Sequence, residues 1–173
     1  MELNLYCVSD RYIEYLRKFD YRIYDNKRKQ RTHERKYVGV VITINDFNYY
    51  IPMSSPKKSD YIDFENKIIR KDTKTIIRMH DKKRLYGTLR ISNMIPVPLF
   101  ELEAYDLSKE KDLKYKEVVL SELRYIKSNS KKIIKYANVI YNQKIKNVDA
   151  EYLKSTVNFS YLEEKLKNWN NMK

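Results

Sequence analysis

Residues 37–53, YVGVVITINDFNYYIPM, leave a folding chain few choices. The first half is β-branched and nearly continuous, the pattern of a strand covered on both faces. Asn45-Asp46 tolerate turn conformations, and Phe47, Tyr49, Ile51 and Met53 then alternate with period two. The segment predicts a β-hairpin, and the remaining elements are organised around it. LNLYCV at 3–8 reads as a short strand. Ser9 is placed to cap a helix whose Tyr12, Leu16 and Phe19 repeat at helical spacing. Further β structure is expected across TIIRMH (75–80) and RLYGTLRISNMIPV (84–97), with Pro96 and Pro98 marking an edge or strand exit.

The last third changes period. Tyr115, Val119, Leu123 and Ile126 mark one amphipathic helix, and Ile133, Ala137 and Ile140 mark another. In SYLEEKLKNW, Ser160 and Glu163 have capping-box spacing ahead of Leu162, Leu166 and Trp169. The expected fold is α+β: a compact, strongly twisted, antiparallel barrel-like sheet with surrounding helices, the C-terminal third mostly helical. Residues 1–173 read as a single domain, with no internal repeat or linker.

Charge narrows the function. Thirty-six Lys and Arg against 23 Asp and Glu give a net charge of +13, and such an excess calls for an anionic partner. A membrane is the weaker choice, because no apolar run approaches the ~18 residues that span a bilayer and MELNLYCVSD does not read as a signal segment. One cysteine, Cys7, excludes an internal disulfide and suits a reducing cytoplasm. With Cys7, His33 and His80 the only soft ligands, a zinc site is not expected, nor any other cofactor. Two glycines in the whole chain exclude the glycine-rich phosphate loops.

The basic segment 24–36, YDNKRKQRTHERK, has no apolar period and six basic residues against one glutamate over 27–36. It reads as a loop longer than a mere connection needs, and Lys27, Arg28, Lys29, Arg31, His33 and Lys36 are candidate RNA contacts. Tyr12, Tyr15, Tyr21, Tyr24 and Tyr37 are interleaved with it, as base-stacking or as core and rim residues. Directly after the hairpin comes SSPKK. Ser54 and Ser55 stand at the end of a strand, Pro56 holds Ser55 extended, and Lys57 and Lys58 follow. Hydroxyls, backbone N–H groups and ammonium groups meeting there would cradle a phosphate; an ordinary polar turn is the plainer reading. Asp60, Asp63 and Glu65 are expected to be solvated.

Five stretches occur together in order: YIEYLRKFD, KYVGVVITINDFNYYIPMSSPKK, NMIPVP, LRYIKSNSKKI and NFSYLEEK. In this they resemble the ToxN/AbiQ family of type III toxin–antitoxin systems, from residue 3 to about residue 168. The resemblance implies a metal-independent endoribonuclease that leaves 2′,3′-cyclic phosphate and 5′-hydroxyl ends. It also implies inhibition by a repeat-derived pseudoknot antitoxin RNA within a cyclic toxin–RNA hetero-oligomer, and a role in phage defence by abortive infection. The family's catalytic hydroxyl pair falls on Ser54-Ser55, its lysine on Lys57, its helix-one tyrosine on Tyr12, and its basic residue on Arg35, with Lys36 the neighbouring alternative. Arg35 suits charge stabilisation, because a guanidinium does not exchange its proton; Lys57, with cations around it, suits proton transfer. Asn129 falls in the family's Asn-Ser helix junction, where it lines the RNA groove or caps a helix starting at Lys131. The rival readings are a non-catalytic basic RNA-binding module and a metal-dependent nuclease.

Overall fold

The computed structural model describes residues 2–26 and 32–172. Strand β1 (Asn4–Val8) ends at Ser9, whose hydroxyl accepts the Tyr12 N–H at 3.3 Å and starts α1 (Asp10–Arg17). The α1 stripe Tyr12, Ile13 and Leu16 is buried, as its spacing predicts. Strands β2 (Tyr37–Ile44) and β3 (Phe47–Ser54) form the expected hairpin. Asn45 and Asp46 both take positive φ, 50° and 66°, the geometry of a two-residue turn whose twist matches its strands.

A two-stranded hairpin follows, β4 (Tyr61–Asp63) with β5 (Ile68–Ile69), and then β6 (Ile76–His80), β7 (Leu85–Arg90), β8 (Ile95–Pro96) and β9 (Leu102–Ala104). The main sheet is antiparallel in the order β6-β7-β3-β2-β1-β9, with β8 paired to β3 beside that path. It has two ends and does not close into a barrel. β3 holds it together by changing partners: Tyr49 and Tyr50 pair with Pro96 and Ile95, whereas Met53 and Ser54 pair with Leu89 and Thr88 of β7. Neither β4–β5 nor β9 was legible as a strand, being three residues or fewer with exposed side chains.

Helices α2 (Leu113–Ser128), α3 (Ser130–Ile145), α4 (Glu151–Lys154) and α5 (Phe159–Asn171) cover the sheet. α2 packs on β6 and β7, α3 on β2, and α5 on β8. The start of α5 differs from the expectation. Asn158, not Ser160, is the cap, its side chain accepting the Tyr161 N–H at 3.1 Å. Val157 before the cap and Leu162 within the first turns are both fully buried, the two positions of a hydrophobic staple, and they set the start two residues early.

The tyrosines make much of the core. Tyr12, Tyr37, Tyr49 and Tyr50 are essentially inaccessible. Tyr12 donates its hydroxyl to the Pro96 carbonyl at 2.8 Å, and Tyr49 and Tyr141 both donate to Glu163 at 2.6 and 2.8 Å. Gly39 is fixed by one of these rings. A β-carbon there would lie 2.6 Å from Tyr50 Cε1, and the Tyr50 ring is buried and packs edge-to-face on Tyr6. Gly39→Ala is therefore expected to cost about 1–3 kcal/mol through overpacking, read from urea unfolding. A loss below ~0.5 kcal/mol would show that the ring moves freely.

Candidate active site

Two chain segments meet where β3 ends. The Met53 N–H donates to the Lys36 carbonyl at 2.9 Å, and the Met53 carbonyl accepts from Arg35 Nη1 at 2.6 Å. The residues entering β2 are thus fastened to the residues leaving β3, which places Arg35 and Lys36 beside Ser54 and Ser55. Both cations are buried, at 3% and 5% exposure. Arg35 lies 4.6 Å over the Tyr24 ring, and the Lys36 ammonium lies 4.3 Å from the centre of Tyr115 and 5.3 Å from Tyr105. Aromatic faces offset part of the desolvation that would otherwise count against burying them.

The resulting cleft, about 170 Å3, is lined by Arg35, Lys36, Ser54 and Ser55 together with His33 and Glu122. At roughly 30 Å3 per water it takes on the order of five waters, room for a phosphate group with the rest of a nucleotide projecting outward. His33 lies flat on Tyr115, centroids 3.5 Å apart, with its ring nitrogens 3.9 Å from Glu110 and 3.5 Å from Asp112.

Below the cleft, the SSPKK turn is fastened to the sheet by Asp60. Its carboxylate accepts the Lys57 N–H at 2.9 Å and sits 3.2 Å from Arg78 and 3.5 Å from Arg90. Asp60 is 1% exposed, so it is not the solvated residue that its sequence neighbours suggested. Two arginines reaching across from β6 and β7 supply the charge that lets it be buried.

The expected site residues divide clearly. Ser54, Ser55, Arg35, Lys36 and His33 share the cleft. Lys57 is exposed, two residues past Ser55, and is not among the residues that line it. Lys58 turns toward the β4–β5 hairpin, 5.8 Å over Phe64. Tyr12, expected at the RNA surface, is wholly inside the core, because it lies on the buried stripe of α1, where its hydroxyl donates to the Pro96 carbonyl. Asn129 stands at the cap position of α3, which begins at Ser130, one residue before the expected Lys131; its side chain makes no cap bond there and its amide donates backward to Tyr125 O at 2.9 Å. It lines a second groove with His80, Arg124 and Tyr125, which shares Tyr86 with the cleft. Lys27, Arg28, Lys29 and Arg31 lie outside the described residues.

Glu122 was missed, although a signal existed. It stands three residues after Val119 and four before Ile126, which puts a carboxyl on the buried stripe of α2. Burial pushes that carboxyl up to about 7, and only the Lys36 ammonium acts in the other direction. Among the described residues, no group of three His, Cys, Asp or Glu side chains could hold a metal ion, and no helix is long and apolar enough to cross a membrane.

Comparison with known proteins gives this geometry its context. The model of the family described as toxin ToxN, type III toxin–antitoxin system, matches residues 4–167. The endoribonuclease AbiQ of Lactococcus lactis subsp. lactis is 37% identical over 95% of this chain and 88% of its own. The solved structure of AbiQ, described as a lactococcal anti-phage endoribonuclease of a type III system, covers 99% of both chains with a TM-score of 0.79 and 33% identity. A second solved structure, from work on selective toxin inhibition by a non-coding RNA pseudoknot, covers 98% of this chain and 99% of its own with a TM-score of 0.81 and 26% identity. A cleft that sets two serines against two buried cations thus lies within a match spanning almost the whole sequence, and the chain belongs to the ToxN family of type III toxin–antitoxin toxins.

Proposed function

We propose that this ToxN-family endoribonuclease cuts RNA without a metal ion, by attack of a 2′-hydroxyl on the adjacent phosphorus. The products are a 2′,3′-cyclic phosphate and a 5′-hydroxyl. The observation that carries the reading is the convergence of Ser54, Ser55, Arg35 and Lys36 on one small cleft. The serine hydroxyls donate to the non-bridging oxygens. Arg35 and Lys36, fixed before substrate arrives, stabilise the charge that grows on the phosphorane. Lys57, exposed on the turn that follows Ser55, reaches the bound linkage and takes the proton of the attacking hydroxyl.

The net charge of +13 draws RNA to the surface, and His33, Lys58 and Asn129, with the basic segment 27–36, extend the contact beyond the scissile linkage. On this reading the whole chain acts as one domain in the cytoplasm. A repeat-derived pseudoknot RNA inhibits it by occupying the same cleft in a cyclic toxin–RNA assembly, and its release during phage infection arrests the host. Support comes from the chain-wide likeness to an anti-phage endoribonuclease and to a toxin studied with its pseudoknot inhibitor.

Purified protein incubated with denatured bacterial RNA in EDTA tests the central claim. Fragments ending in 2′,3′-cyclic phosphate and beginning with 5′-hydroxyl are the expected result. Intact RNA that is nevertheless bound would make the protein a non-catalytic module, and cleavage only after a divalent ion is restored would make it a metal nuclease.

A further inference from the structure

We propose that Glu122 is the general acid of the cleavage, the group that protonates the departing 5′-oxygen. The proposal rests on the reading of the cleft given above and supplies the proton that reading leaves unassigned. Glu122 lies on α2, and its side chain points into the cleft that holds Ser54, Ser55, Arg35 and Lys36. Gly87 of β7 marks how close it comes to the strand end. A β-carbon at Gly87 would collide with Glu122 Oε1 while lying 3.1 Å from the Ser54 carbonyl oxygen. The absence of a side chain at residue 87 is what admits the carboxyl to the space under Ser54.

A structural role does not account for this placement. Glu122 is 6% exposed, and burial acts on its carboxyl more strongly than the Lys36 ammonium does. Burying a carboxyl costs stability that an apolar residue on the α2 stripe would avoid. The groups facing it are Lys36 and Arg35 at the entry to β2, His33 and Glu34 before them, Tyr86 of β7, Tyr105 beyond β9 and Tyr115 on α2 itself. Lys36 acts to lower its affinity for a proton, but burial outweighs that and leaves the group half protonated near pH 7. A bound phosphodiester brings negative charge into the same cleft and favours the protonated form further. The acid is therefore loaded by the substrate it serves.

The step balances without any additional reactant. The 2′-oxygen bonds to phosphorus and gives its proton to Lys57, the P–O5′ bond breaks, and the Glu122 proton passes to O5′. A later exchange with water returns both groups to their starting states.

The test uses an RNA oligonucleotide carrying a linkage that the wild-type protein cuts, made once with the natural bridging oxygen and once with sulfur at the 5′-bridging position. Thiolate leaves without needing a proton. Glu122→Gln is expected to slow single-turnover cleavage of the natural linkage about 10²–10⁴-fold and to cut the sulfur linkage at close to the wild-type rate. Equal slowing on both linkages, or no slowing on the natural one, would overturn the assignment. Should the variant not fold, the wild-type protein still decides. Its rate on the natural linkage is expected to fall as pH rises through and above about 7, with that limb missing for the sulfur linkage; the same limb on both would end the proposal. Failure of the wild-type protein to cleave any RNA would instead overturn the reading of the cleft itself.

Discussion

Asp60→Asn is expected to lower the unfolding free energy by about 3–5 kcal/mol, the range for removing one partner from a buried ion cluster. The carboxylate is 1% exposed and faces two guanidiniums that are themselves buried. The Nε atoms of Arg78 and Arg90 have no hydrogen-bond partner among the described residues, so the cluster has little reserve once its one anion is neutralised. Asparagine keeps the shape and can still accept the Lys57 N–H, which isolates charge as the variable. Urea unfolding measures the effect. A loss under about 1 kcal/mol would mean that water or an outside anion already screens the arginines.

The second large effect is on rate. Ser55→Ala and Lys57→Ala are each expected to reduce RNA cleavage by about 10²–10⁴-fold, because each removes a group that acts on the transition state. Neither side chain is buried, so stability should change by less than about 0.5 kcal/mol. Affinity for the inhibitory RNA, measured by titration at fixed salt, should stay within a few-fold, since Arg35, Lys36 and the general charge remain. Residual cleavage within ten-fold of wild type in the Lys57 variant would move the proton acceptor to another group. His33 is the next candidate, as it already lines the cleft.

Local signals in the sequence carried most of the fold. The hairpin at 37–53, the α1 cap and the stripes of α2 and α3 rest on spacing and turn chemistry confined to a few residues, and they are where those signals place them. What escaped depends on residues brought together from far apart. Asp60 looked solvated because Arg78 and Arg90 are 18 and 30 positions away. Tyr12 looked available for stacking because nothing nearby shows that its hydroxyl is committed to Pro96. The cleft was half legible: the two serines and the basic residues ahead of the hairpin flank the open end of the same two strands, whereas Glu122 enters from a helix some 70 residues later. Its presence on an apolar stripe was a local anomaly, the kind that marks a functional site more often than a folding error.

The β4–β5 hairpin hydrogen-bonds to no other strand among those described, and it carries Ile62, Phe64 and Ile68 exposed on its surface. Asp60 isolates it from the chemistry by clamping the chain just before Tyr61, so lengthening or rewriting the tip leaves the register of Ser54 and Ser55 untouched. Change at the exposed tip and change at the cleft are thereby mechanically uncoupled.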